Sequence, residues 1–178
     1  MFKMSDEEMR EIYGNYDYDI TSEYTGTAEK LNSYLKGKGV LEGKGQAFID
    51  AQNEYGICAS VLVGICMNES GSGRSNLAKN NNNVGGVRVP GSTEFKKYSS
   101  VDDCIKDIAR FLKSGYVDKG LTKLYQVNAK YCPISDPTDT RKLNNNWASN
   151  VNKFTKDIQN QIEEDFEEDF EEEDNEDW

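Results

Sequence analysis

The sequence predicts a mainly α-helical domain with a small β-hairpin lobe, and three observations lead there. Apolar residues recur at steps of three and four in segments on both sides of an aperiodic middle. One segment, "CASVLVGICMNE" at 58–69, is apolar almost all round, which marks it as the central, buried helix. The middle itself, "SNLAKNNNNVGGVRVPGSTEFKKYSS" at 75–100, has no helical period, holds three glycines and a proline, and alternates weakly. That pattern suits two or three short strands.

Taken in order, "TAEKLNSYLKG" (27–37) and "GKGQAFIDAQNEYGI" (43–57) read as short amphipathic helices parted by a glycine-rich turn. The buried helix and the lobe follow. Ser100 with Asp103 three residues on resembles a capping box opening "VDDCIKDIARFLKSGY", with Cys104, Ile108, Phe111 and Leu112 on one face. "LTKLYQVNAKY" (121–131) is a further short helix, broken by "CPISDPTD". The last helix carries Trp147, Val151, Phe154, Ile158 and Ile162 as a stripe suited to packing on the central one. Phe166 and Phe170 prolong that spacing, but like charges at i,i+4 and acids at the negative end of the helix dipole oppose it, so a frayed tail is expected.

A chain of 178 residues suits one domain with a core and tails. It contains no histidine, which excludes Ser/His and Cys/His nucleophile pairs, histidine zinc ligands and a histidine base. Acid–base chemistry near neutral pH therefore falls to carboxylates. Cys58, Cys66, Cys104 and Cys132 are scattered without a CxxC pair, so neither a metal nor any other cofactor is expected. The start lacks the basic and apolar regions of a secretory signal, and "CASVLVGICM" is too short to span a bilayer. These readings favour synthesis in a cytoplasm with reduced thiols and no membrane insertion.

The net charge of −11 is unevenly divided. Residues 163–178 form a tail with twelve acids and no base, and residues 1–24 an arm with seven acids against Lys3 and Arg10. The body, 25–162, has nineteen Lys and Arg against thirteen Asp and Glu. A basic body suits a polyanion, and bacterial wall polymer and nucleic acid both qualify.

Glu69 draws attention because Leu62, Ile65, Cys66 and Glu69 lie at i, i+3, i+4 and i+7, so the carboxylate continues an apolar stripe. Partial desolvation there raises a carboxyl pKa and fits a general acid; a half-exposed, inert glutamate in a last helical turn is the plainer reading.

Five ordered segments, "GKGQAFIDAQNEYGI", "ICMNESGSGRSNLA", "NNNVGGV", "FKKYSSVDDCIKDIARFL" and "KYCPISDPTDTRKLNNNWASNV", resemble the glucosaminidase family of peptidoglycan hydrolases, glycoside hydrolase family 73, in its short clostridial and phage form. The resemblance covers about Leu35 to Ile162. It implies a lysozyme-like fold and cleavage of the β-1,4 bond after N-acetylglucosamine in wall glycan, with nucleic acid excluded as partner. Glu69 matches the catalytic acid, Ser70 and Gly71 its turn, Asn82 and Asn83 the cleft floor, and Tyr98 an aromatic lining the sugar site. Longer members carry a second acid on an extended hairpin. Here Glu94 is the sole carboxylate of the lobe, either a second catalytic group or a surface residue; if it is idle, the substrate's 2-acetamido group is left as nucleophile. Tyr116, Tyr125, Tyr131 and Trp147 are sugar-stacking or core aromatics, and Arg88 is suited to a lactyl or peptide carboxylate.

Three functions stay open at this level: the glucosaminidase, acting as a phage endolysin or tail-associated lysin; a muramidase or lytic transglycosylase on the same fold; and a wall-binding or virion module without turnover. The tail is a solvating segment, an inhibitor of the basic cleft, or an anchor through Phe166, Phe170 and Trp178 for a virion partner; the arm is a docking segment or an ordered flap.

Overall fold

The computed structural model describes residues 4–133, 136 and 143–173. Its α-helices are α1 (Asp6–Tyr13), α2 (Ala28–Leu35), α3 (Gly45–Tyr55), α4 (Ala59–Glu69), α5 (Asn76–Asn81), α6 (Val101–Gly115), α7 (Leu124–Tyr131) and α8 (Trp147–Glu173). Every residue of α4 from Ala59 to Met67 is buried, as its all-round apolar sequence requires.

The long α8 lies antiparallel against α4. Val151 faces Gly64, Asn150 donates to Asn68 across 3.0 Å, and Trp147 meets Glu69, so numbers rise on one helix as they fall on the other. Gly64 permits this closeness, because a Cβ there would sit 3.0 Å from the Val151 carbonyl oxygen. The partner stripe read from the sequence is the one used: Trp147, Val151 and Ile158 are buried, and Phe154 and Ile162 pack at the margin of the core. On the other side α3 packs on α6, where Cys104, Ile105, Ile108 and Leu112 are buried. Ser100 opens α6 by accepting the Asp103 backbone N–H at 3.1 Å, one half of the expected capping box.

Two helices, α1 and α5, lie outside the elements expected from the sequence. In α5 the Asn-rich run has poor helix propensity, yet Ser75 caps the Ala78 N–H and Asn82, left-handed at φ 51°, ends the helix. In α1 Ser5 caps the Glu8 N–H and only Tyr13 is buried. The acidic arm is strapped to the body beyond α1: the Cys58 N–H bonds to Ile20 oxygen at 2.7 Å, the Ile20 N–H to Thr122 oxygen at 2.8 Å, and the Leu124 N–H to Tyr18 oxygen at 3.1 Å. Buried Gln52 joins arm to core, taking the backbone N–H groups of Tyr24 and Ala59 on one oxygen and donating to the Tyr24 carbonyl. It thereby satisfies one of the N–H groups left over at the start of α4.

The expected β-hairpin lobe is not formed. Among the described residues there is no strand, and the segment holds only an isolated bridge between Arg88 and Phe95, with backbone bonds from Val89 to Glu94 and from Lys96 to Val87. The loop "RVPGSTE" is too short for a ladder, and Pro90 cannot donate to one. At the other end, α8 continues through Glu173 where fraying was expected. Adding glutamates, good helix formers, to an anchored helix avoids a new nucleation cost. Trp178 and most of the break at 132–139 lie outside the described residues. No helix among those described is long and apolar enough to cross a membrane.

Candidate active site

Glu69 is the last residue of α4, and the turn after it is fixed on both sides. The Ser70 hydroxyl donates to the Cys66 carbonyl and accepts the Gly73 N–H at 2.8 Å. The Val40 N–H reaches Gly73 oxygen at 3.0 Å, and the two loops touch so closely that a Cβ on Gly73 would lie 2.2 Å from Lys38 oxygen. Gly73 also has φ +77°, which an L side chain tolerates poorly. The "ESGSG" pattern is therefore a clasp that sets where the carboxylate points.

From the opposite helix, the Trp147 indole N–H donates to Glu69 Oε1 at 2.8 Å. Asn128 holds that helix start, taking the Ala148 N–H at 3.0 Å while its amide donates to the carbonyls of Cys132 and Asn144. Burial pushes the Glu69 pKa up, and the indole pulls against that without cancelling it.

The 82–98 loop closes the site. Buried Asn83 donates to the carbonyls of Val87 (2.8 Å) and Lys96 (2.9 Å) and accepts the Val87 N–H, replacing the missing ladder with one side chain. Gly86 then passes near the acid: a Cβ there would stand 3.8 Å from Glu69 Oε2.

The result is a cleft of about 600 Å³ with Glu69 in its lining. Phe111, Tyr116 and Tyr131 form one wall, their rings 5.6 to 6.3 Å apart, and Tyr131 continues onto Trp147 at 5.4 Å. Arg88, Lys96, Arg110 and Lys130 also face it. Its second lining carboxylate is Asp107, which accepts from the Tyr98 hydroxyl at 2.6 Å, Lys96 at 3.1 Å and Arg110 Nε at 3.2 Å. Burial alone would raise the Asp107 pKa, but these bonds outweigh it and hold the carboxyl below its ordinary value. A single cleft thus contains one carboxyl biased toward protonation and one toward charge.

Of the residues expected from sequence, Glu69, Arg88, Tyr116 and Tyr131 line this cleft. Ser70 and Asn83 are buried and occupied in holding the turn and the loop, and Asn82 donates to Tyr98 oxygen at 3.1 Å as it ends α5. Gly71 belongs to the turn after the acid, where its φ of +55° is needed. Tyr98 is 8 % exposed and lines a shallower neighbouring pocket with Tyr55, Lys106 and Arg110. Glu94 is exposed on the loop tip and does not line the cleft. Tyr125 is buried under the Arg10 guanidinium, away from the cleft lining.

Among the liners that were missed are Phe111, Asp107, Lys96, Arg110 and Lys130. Phe111 reads as core by spacing but is 49 % exposed, and Asp107 and Lys130 look like ordinary polar-face residues of their helices. Only the placement of α6 beside the loop and α7 could reveal them.

A buried central helix ending on a shielded carboxyl, in a cleft walled by aromatic rings, defines a lysozyme-like glycosidase architecture. The model of the glucosaminidase family, mannosyl-glycoprotein endo-beta-N-acetylglucosaminidase, matches residues 45–164, and the chain belongs to that family of glycoside hydrolases. It is 33 % identical over 150 residues to the bifunctional autolysin of Staphylococcus epidermidis, covering 71 % of this chain and 11 % of that protein. The chain therefore spans about a tenth of that relative's length. S. aureus autolysin E in complex with the muropeptide NAM-L-Ala-D-iGlu has the same fold, with a TM-score of 0.70 at 24 % identity over 90 % of this chain and 80 % of that one. A major bifunctional autolysin matches with a TM-score of 0.58 at 26 % identity, over 85 % and 68 %.

Proposed function

We propose that this chain hydrolyses bacterial peptidoglycan, cutting the β-1,4 bond after N-acetylglucosamine with Glu69 as general acid. The observation that carries the reading is the shielded Glu69 carboxyl in the cleft lining, its pKa raised by burial and its orientation fixed by Trp147. A protonated carboxyl there can deliver its proton to the glycosidic oxygen as the bond to C1 breaks. The family relationship supports the glycosidase class, and the cationic cleft suits an anionic wall strand.

For the opposite face of the sugar the reading follows substrate assistance. Glu94 is off the cleft, and Asp107 is engaged by three donors. The acetamido oxygen of N-acetylglucosamine would attack C1 to form an oxazolinium ion while Glu69 protonates the leaving oxygen. Ionised Glu69 would then take a proton from the water that opens the ring, regenerating the acid. The bacteriolytic setting we propose is a phage lysin, freed at host lysis or carried on a tail; probing purified particles for the chain separates those two routes.

The test is loss of turbidity of purified cell walls by wild type beside Glu69→Gln, with reducing-end analysis of the products. New N-acetylglucosamine ends with wild type and none with a folded Glu69→Gln are expected. Muramic or anhydromuramic ends would move the cut to the other bond. Walls that bind the protein but never clear would favour a binding module.

A further inference from the structure

Two cations in the cleft are held in place without a neutralising partner. Arg88, on the loop, donates to the Thr93 carbonyl, and its guanidinium carbon stands 4.5 Å over the Phe95 ring centroid. Lys130, in the last turn of α7, donates to the Gly115 carbonyl, with its Nζ 4.6 Å over Tyr116. Each is thus positioned by a carbonyl and an aromatic face, with little side-chain freedom left to lose on binding. Among the described residues no carboxylate pairs with either, whereas the other two cations of the cleft share Asp107. Glu69 accepts from the Trp147 indole and makes no ion pair with either cation among the described residues.

We propose that Arg88 and Lys130 read an anionic group on the bound strand, so that the cleft prefers carboxylate-bearing wall glycan to a neutral N-acetylglucosamine polymer. The identity of the strand rests on the hydrolase reading above; the recognition itself does not depend on Glu69 chemistry. Slight desolvation and nearby Lys119 lower the pKa of the exposed Lys130, and an anion bound beside it would act in the opposite direction. A cleft in which the cations outnumber the acids, set between apolar walls, also focuses its field on such a ligand. Two sources supply the same chemistry: a stem-peptide carboxylate on an intact strand, or the lactyl carboxylate left once the peptide has been removed.

The experiment measures binding in a Glu69→Gln background, which prevents turnover. Isothermal titration compares a wall tetrasaccharide with stem peptides, the same tetrasaccharide after peptide removal, and chitotetraose, which is neutral. We expect Arg88→Gln with Lys130→Met to weaken binding of the charged strands about tenfold or more and that of chitotetraose by less than twofold, with Arg88→Lys and Lys130→Arg restoring most of the loss. The tetrasaccharide that loses more identifies the carboxylate read. Equal losses on all three ligands, or none on the charged ones, would overturn the proposal. If wild type cleaves no wall yet the charge-dependent loss appears, the hydrolase reading falls and the anion-reading pair stands.

Discussion

The two carboxyls that line the cleft differ in every respect except the cavity they share. Glu69 ends a helix that is buried from Ala59 to Met67, and its one hydrogen-bond donor among the described residues is the Trp147 indole. Asp107 sits midway along α6 among Tyr98, Lys96 and Arg110. Burial acts on both, but three donors reverse it at Asp107 and one does not at Glu69. Depth of burial and the donors that reach each carboxyl together set proton affinity in this cleft, and under the function proposed above the first suits an acid and the second an anchor.

The largest effect that would test this contrast is on turnover. Glu69→Gln keeps size and removes the transferable proton, and wall hydrolysis should fall by about 10²–10⁴-fold. The same substitution has an opposite signature in stability. A carboxyl whose folded pKa is raised contributes stability that is intact below the unfolded value, about 4.3, and is lost as pH rises through the folded one. Glu69→Gln should therefore gain melting temperature on wild type as pH goes from acid to neutral, and a flat difference would show that the carboxyl is not desolvated. The activity of wild type should decline on its alkaline side as Glu69 ionises.

Next comes the clasp. Gly73→Ala brings a Cβ against the Lys38 carbonyl at a left-handed φ, so we expect roughly tenfold lower kcat/KM together with about 1–3 kcal/mol lost stability. Unchanged activity would mean that the turn does not aim the acid.

Asp107→Asn weakens the hold on Lys96 and Arg110, and denaturant titration should show a loss of about 1–3 kcal/mol at neutral pH. Here the sign is reversed: the lowered pKa gives stability that is present above about 3.9 and lost as pH falls, so the variant should converge on wild type in acid. Divergence in acid would contradict the assignment.

The smallest effect is expected at Phe111, which is half exposed on the aromatic wall. Phe111→Ala should raise KM a few-fold, in line with about 0.5–1.5 kcal/mol for an aromatic contact, with kcat and melting temperature nearly unchanged. A large loss of stability would instead make it a core residue.

Much of this was legible in the chain. The period of α4 placed Glu69 on an apolar stripe, the stripe of α8 chose its partner, and the absence of histidine left the chemistry to carboxylates. The lobe was misread because weak alternation resembles strands whether or not a ladder forms, while Asn83 substitutes for the ladder through contacts that have no period. Ser70, Asn82 and Asn83 stood out as motif residues, yet their side chains face backbone groups. Phe111 obeyed the spacing of its helix and still opened onto the cleft.

Local periodicity and composition by themselves determined most of the helices and the burial of the central one, since these depend on neighbours within a few residues, while the ordered motifs and the family they resemble singled out Glu69 as candidate acid. Which carboxyl shares the cleft with Glu69, which cations remain unneutralised and which rings face sugar depended on contacts between segments far apart in the chain, such as Trp147 with Glu69 and Lys96 with Asp107. Proton affinity and charge pairing act through space, so only the tertiary structure could decide them.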